Sequence, residues 1–163
     1  MTGAGTWSLG ESDYNQISEH LTELLRESDA RSAMVVDRTG QLLANAGEAL
    51  SFDATVFASL TAADFSANDQ LAKMIGEPEF ASLFHQGKKE SMYLADVGRR
   101  LILVVLFDQR TTVGLVRLRV KQTVEDLSKL VVEMFNRSPT DKDAAKGGLL
   151  EGADDEIDKL FGD

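Results

Sequence analysis

Cysteine and long apolar segments are both missing from this sequence, and each absence excludes a class of functional site or location. The 163 residues include no cysteine, which excludes disulfides, thiolate zinc sites, iron–sulfur clusters and a cysteine nucleophile. The longest uninterrupted apolar run, Leu101 to Phe107, is too short to span a bilayer. Met1 to Gly10 contains neither the basic nor the apolar region of a secretory signal. We therefore expect a cytoplasmic protein with no membrane insertion.

Positive charge is also scarce. Lys and Arg number 17 against 27 Asp and Glu, a formal net charge of -10, which repels a phosphate backbone, so nucleic acid is not an expected partner. With 43% hydrophobic and 27% charged residues, the composition is that of a globular chain. The length favours one domain over two.

Enzyme motifs are absent as well. The sequence contains no P-loop, dinucleotide-binding fingerprint, nucleophile elbow or HExxH motif, so we predict no catalytic residue, no cofactor and no metal. His20 and His85 have no second ligand at helical or hairpin spacing, which favours ordinary histidines over metal ligands or general bases. Four carboxylates are assigned to solvated faces: Asp64, Asp69, Glu77 and Glu79.

Hydrophobic periodicity and turn residues predict an α+β fold with the order α-β-β-α-β-β-β-α. The helices are expected over about Ser12 to Ser28, from an Asp53 N-cap to Gly76, and from Thr111 or Thr112 to about Met134. The strands are expected over about 33–36, 41–46, 81–86, 91–97 and 100–107. This divides the chain into a leader (1–11), a folded domain (12–135), a flexible linker (136–153) and a short amphipathic helix (154–163).

The second predicted helix carries two apolar stripes. We expect the stripe of larger residues to cover the sheet and a stripe of small residues to face away as a binding surface. The alternatives are that this helix is buried within its own domain or that its alanines serve helix propensity. The sheet-covering stripe is Val56, Leu60, Ala63, Ala67, Leu71 and Met74, and the small stripe is Ala54, Ala58, Ala62 and Ser66, bordered by Phe57 and Phe65.

Three arginines, Arg99, Arg100 and Arg110, fall in or beside predicted turns. A turn arginine is able to act in trans on a phosphate, but exposed arginines that keep the surface soluble are the favoured interpretation.

The C-terminal segment places Ile157, Leu160 and Phe161 on one helical face. Eight residues do not hold a helix alone in water, so the segment is either a tethered docking element or a frayed terminus.

Three stretches of the sequence resemble the bacterial roadblock family. They are Ala33 to Leu42, the second-helix residues Ala58 to Ala62 with Leu71 to Gly76, and Phe107 to Leu118. The similarity covers about Ser12 to Phe135, and the acidic C-terminal segment resembles the family as well.

The resemblance implies a five-stranded antiparallel sheet with helices on both faces, in a homodimer whose second helices lie side by side. It implies a GTPase-activating protein for a Ras-like small GTPase in its GTP form, in cell polarity or gliding motility, with the cell pole as an expected location. Such regulators rearrange the GTPase switch regions without an arginine finger. The alternatives are a scaffold that binds without changing hydrolysis and a small-ligand sensor. The implied GTPase contacts are Ala62, Ala63, Ser66, Ala67 and Gln70, and the implied dimer contacts are Ala54, Ala58, Ala62 and Phe65.

Overall fold

Within the described residues, three helices and five strands follow one another in the predicted order. The computed structural model describes residues 9–145 of the backbone and the side chains of residues 9–136. The elements are α1 (Glu11–Ser28), β1 (Ser32–Asp37), β2 (Leu42–Gly47), α2 (Ala54–Met74), β3 (Ser82–Gln86), β4 (Ser91–Val97), β5 (Leu101–Phe107) and α3 (Val113–Ala145). The strands form one antiparallel sheet in the order β2-β1-β5-β4-β3. Residues Leu9–Val131 form one compact unit, and the rest of α3 belongs to a second.

Helix α2 covers one face of this sheet. Alternate residues of a strand project to the same side, and those at the centre of the α2 side are large and fully buried. Three residues of α2 pack against them, two of which are alanines. The cluster consists of Met34, Val36, Leu94, Ile102 and Val104 from the sheet and Ala58, Ala62 and Phe65 from α2.

The opposite face of the sheet is covered by α1 and by α3 up to Val131. Residues of the other parity, such as Val35 and Leu103, are also fully buried. The Arg117 guanidinium of α3 lies 5.9 Å from the centroid of the Tyr93 ring on β4. The sheet is therefore covered on both faces, as predicted.

Local capping explains where α2 and α3 begin. Asp53 Oδ1 accepts hydrogen bonds from the backbone N–H groups of Thr55 and Val56 at 2.9 and 3.2 Å, which confirms the predicted N-cap. The Phe52 and Phe57 rings, 4.7 Å apart, form the hydrophobic staple across it. Thr112 caps α3 in the same way, because its hydroxyl accepts from Leu115 N–H at 3.2 Å.

The β1–β2 turn follows from its Asp and Gly. Asp37 Oδ1 accepts from Thr39 N–H and Gln41 N–H, each at 2.9 Å. Gly40 has φ +97, and a Cβ atom there would lie 3.1 Å from the Cα of Ser59 on α2. Glycine is therefore needed both for the turn and for the close approach of α2.

The predicted linker from Asn136 is wrong for residues 136–145, because α3 continues to Ala145. Extending an existing helix needs no new nucleus, and Lys142, Ala144 and Ala145 favour helix, whereas the prediction gave more weight to Pro139. Residues 1–8 of the leader lie outside the described residues, as does the predicted tail helix with Ile157, Leu160 and Phe161.

Candidate partner-binding site

The exposed face of α2 is a stripe of apolar side chains. Val56 is 54% exposed, Leu60 64%, Leu71 58% and Met74 82%, and the exposed Ala63 and Ala67 lie between them. We call these six residues the outer stripe. At 1.5 Å per residue it runs for about 27 Å along the helix. Isolated exposed apolar residues are normal, but a continuous stripe of them marks an interaction surface.

The predicted orientation of α2 is wrong, because its two stripes are exchanged. The residues expected to cover the sheet form the outer stripe. The middle of the small stripe turns inward instead, with Ala58 0% and Ala62 8% exposed, whereas Ser66 at its end stays exposed. The physical reason lies in the sheet, where large residues such as Met34 and Ile102 already fill the space under the helix. Small residues on α2 let its backbone approach that surface closely.

Of the residues proposed for partner contacts, some are exposed in the structure and others are buried. Ala63, Ser66, Ala67 and Gln70 are exposed on α2, whereas Ala62 is nearly buried. Of the residues expected in a dimer interface, Ala58 and Phe65 are 0% exposed within their own chain, and Ala54 is half-buried. The Ala58, Ala62 and Phe65 assignments are corrected, because side chains inside the core do not reach a second molecule.

Strand β3 lies at the edge of the sheet beside α2. It pairs with β4 on one side and is the last strand of the sheet on the other. Phe84 on this strand is 36% exposed, and His85 Nε2 lies 2.7 Å from Asp64 Oδ2 of α2. Sequence analysis treated His85 as isolated. Its partner is 21 residues away, at no helical or hairpin spacing, so only the tertiary fold brings the pair together.

Two of the turn arginines, Arg99 and Arg110, lie beside carboxylates. The Arg110 guanidinium donates to Asp108 Oδ1 at 3.0 Å and to Glu48 Oε2 at 2.7 Å. These hydrogen bonds lower the pKa of the Asp108 and Glu48 carboxyls, and they raise the pKa of Arg110. Arg99 Nη2 lies 3.1 Å from Glu79. Arg110 therefore braces the loop after β5 against the segment that follows β2.

A cavity of about 480 Å³ opens between the segment before α2 and the ends of β3 and β4. Its apolar lining includes Leu50, Phe57 and Met92. The charged groups at its rim pair with one another, since Arg31 bonds to both Glu48 and Glu90. These ion pairs compensate the charges of Arg31, Glu48 and Glu90 at the rim, which gives the small-ligand alternative no support.

The part of the chain that the structure describes holds no group of three His, Asp or Glu side chains placed as metal ligands. None of its helices has the length and apolar character needed to cross a membrane. The outer stripe and the polar residues beside it remain the principal candidate site.

Comparison with known proteins assigns a family and close structural relatives. The Roadblock/LC7 domain model matches residues 16–107. The chain is similar to MglB of Myxococcus xanthus, with 41% identity, a TM-score of 0.74 and coverage of 78% of this chain and 96% of that one. It is similar to the gliding protein MglB of Thermus thermophilus, with 32% identity, a TM-score of 0.72 and coverage of 78% and 97%. An MglB with a tetrameric arrangement has 32% identity, a TM-score of 0.75 and coverage of 79% and 97%.

Proposed function

Because this chain belongs to the Roadblock/LC7 domain family, we propose that it regulates a Ras-like small GTPase. In this proposal it is a GTPase-activating protein for a GTPase of the MglA type in its GTP form. It acts as a homodimer in cell polarity or gliding motility, in the cytoplasm and at a cell pole. It rearranges the switch regions of the GTPase and donates no arginine finger.

The observation that carries this proposal is the outer stripe. Four large side chains with exposures of 54% to 82% on one helix form an apolar surface suited to a protein partner. The 41% identity with Myxococcus xanthus MglB supports the kind of partner. A regulator that acts as a homodimer needs such a surface to join its two copies, and it needs no catalytic cluster of its own.

We assign the homodimer contact to the outer stripe and the open edge of β3. A two-fold axis brings the same patch of both copies together, so each stripe covers its equivalent and the two β3 edges extend one sheet. In this assignment, exposed residues such as Leu60 and Leu71 replace the buried Ala58 and Phe65 as the dimer contacts.

The GTPase contact is assigned to the polar side of the same helix, next to the outer stripe. Ser66 and Gln70 are exposed one turn apart on α2, with Ala63 and Ala67 beside them. Binding that favours one conformation of the GTPase shifts its population toward that state, to the extent of the differential affinity. The arginine and glutamine that act on the phosphates then come from the GTPase itself.

The ion pairs of Arg110 support the absence of a finger. To reach a phosphate, this guanidinium has to leave Asp108 and Glu48, at 3.0 and 2.7 Å. An arginine held by two carboxylates is suited to bracing a loop.

A phosphate-release assay with the cognate GTPase tests the proposal. Wild type is expected to accelerate GTP hydrolysis, Ser66→Arg to abolish the acceleration, and the matched control Arg110→Ala to preserve it. Loss of acceleration in Arg110→Ala with the fold intact would support a finger instead. Measurable binding with an unchanged hydrolysis rate would establish the scaffold alternative.

A further inference from the structure

A charged cavity of about 310 Å³ adjoins the proposed GTPase surface. It lies between the C-terminal half of α2, the β1–β2 turn, the β4–β5 turn and the segment after α2. Ser66 lines it, so the cavity and the exposed face of α2 share a border. Three cations and two carboxylates face it: Arg38, Lys73, Arg99, Asp69 and Glu79.

Arg38 forms the inner part of this cavity and is fixed in place. It donates to Asp69 Oδ2 at 2.9 Å and to Asp96, and its guanidinium carbon lies 4.8 Å above the centroid of the Phe65 ring. The Asp69 and Asp96 side chains are only 23% and 14% exposed. Two carboxylates therefore lie deep beside one guanidinium, and Asp69 Oδ1 and Arg38 Nε have no hydrogen-bond partner among the described residues.

The outer part of the cavity is cationic. The Arg99 side chain is 68% exposed, against 33% for its partner Glu79. Lys73 is exposed on the last turn of α2 and forms no ion pair within residues 9–136. The Ser66 hydroxyl has no hydrogen-bond partner among the same residues. At this outer part, an incoming group meets hydrogen-bond donors and two cations, Lys73 and Arg99, against one carboxylate, Glu79.

Arg99 occupies a backbone position that favours glycine. It has φ +61 and follows Gly98 with φ +60, so both central residues of this hairpin turn are left-handed, a turn in which Asn-Gly or Gly-Gly is preferred. The Arg99–Glu79 pair lies at the surface, where ion pairs add little stability. Fold stability alone does not explain an arginine here, and a strained residue beside a cavity points to a role for its side chain.

We propose that this cavity receives a carboxylate side chain of the GTPase, bound between Lys73, Arg99 and Ser66. The inference rests on the proposed function and adds the partner chemistry that the surface recognises. The chain has a net charge of -10, which repels acidic surfaces in general. The cationic outer part of this cavity then sets where an acidic residue of the partner docks, and so it orients the complex.

The test measures binding of the full chain to the GTP-loaded cognate GTPase by calorimetry at low and high salt. Lys73→Glu is expected to raise the Kd by more than about tenfold. It is also expected to reverse the contribution of this contact to the salt dependence of the Kd. Arg99→Gly is expected to weaken binding about tenfold while its Tm stays equal to wild type or rises, since glycine suits the left-handed position. The matched control Lys121→Glu, an exposed lysine of α3, is expected to bind within about twofold of wild type.

The outcomes separate this inference from the proposed function. If the GTPase binds wild type and both cavity variants equally, the carboxylate site is wrong and the proposed function stands. If Arg99→Gly lowers Tm while Lys73→Glu binds normally, Arg99 is structural and the inference is overturned. If wild type binds no GTPase at all, both fail. An Asp or Glu to Lys change on the GTPase that restores binding to Lys73→Glu would identify the docked carboxylate.

Discussion

Replacing Leu60 by alanine removes a large side chain of the outer stripe and leaves the core unchanged. Leu60 is 64% exposed, so its contribution to folding of the single chain is small. In the proposed homodimer this exposed fraction is covered by the partner. The substitution is therefore expected to weaken association and to spare the fold.

The size of the effect follows from the exposed fraction. Full burial of a leucine side chain stabilises by about 1.5–3 kcal/mol, so covering the exposed 64% of Leu60 contributes roughly 1–2 kcal/mol. A two-fold dimer contains this contact twice. At the lower figure of about 1 kcal/mol for each contact, the loss in dimer stability is about 2 kcal/mol. This loss corresponds to a dimer Kd raised roughly 30-fold.

Sedimentation equilibrium over a concentration series measures this Kd directly, with circular dichroism to confirm that the helices are retained. Leu118→Ala provides a matched control, because Leu118 is 60% exposed but lies on α3, away from α2 and β3. Equal dimer Kd values for wild type and Leu60→Ala, or an equal loss in Leu118→Ala, would refute the assignment of the outer stripe to the dimer.

The remaining predictions concern the core, acid stability and the tail. Phe65→Ala is expected to lower the free energy of unfolding by about 3–5 kcal/mol, because Phe65 is fully buried; a loss below about 1 kcal/mol in urea unfolding would contradict this. Since Glu48 and Asp108 have a lowered pKa in the folded state, their stabilisation is present above the unfolded pKa and is lost as pH falls through the lower folded pKa. Acid unfolding of Arg110→Ala is therefore expected at a higher pH than wild type, and coincident unfolding curves would oppose the assigned ion pairs. Deleting Leu149 to Asp163 is expected to leave the dimer intact and weaken GTPase regulation; unchanged affinity, hydrolysis and exchange rates would argue against a docking tail.

The order and approximate bounds of the elements were predictable because their signals are local. Asp53 caps α2 through N–H groups two and three residues away. The Asp37 to Gly40 turn is closed by hydrogen bonds within the same few residues. Such signals are complete within a short window, so sequence reasoning finds them.

The orientation of α2 was not predictable in this way. Both of its stripes are apolar, and hydrophobic periodicity alone does not distinguish a face of small residues from a face of larger ones. The choice is made by the sheet, whose large residues, such as Met34 and Ile102, leave room for alanine and one phenylalanine. That information resides in strands separated from α2 in sequence.

The charged cavity beside the candidate site was not predictable from the sequence for a related reason. Arg38 meets Asp96 across 58 residues and Asp69 across 31. An acidic sequence offers each arginine many carboxylates, and only the register of the sheet and the packing of α2 select among them. Sequence analysis assigned Asp69 and Glu79 to solvated faces, whereas the structure places both at one cavity with three cations.

The exchange of the two stripes also constrains how α2 would serve the two proposed partners. The outer stripe has large residues toward its ends and the small Ala63 and Ala67 at its middle. Two such helices crossing at a two-fold axis approach most closely where their side chains are smallest. In the proposed dimer, Ala63 and Ala67 are then largely covered by the second copy.

The proposed GTPase contact accordingly lies at the flank of the crossing, where Ser66 borders the cavity of Arg99 and Lys73. The two contacts are then separable by substitution. Ala67→Arg is expected to raise the dimer Kd, because it adds bulk at the crossing, whereas Ser66→Arg is expected to preserve the dimer and block the GTPase. Sedimentation equilibrium and GTPase-binding assays on the same two variants test this. If Ser66→Arg dissociated the dimer as strongly as Ala67→Arg, the two partners would share one surface.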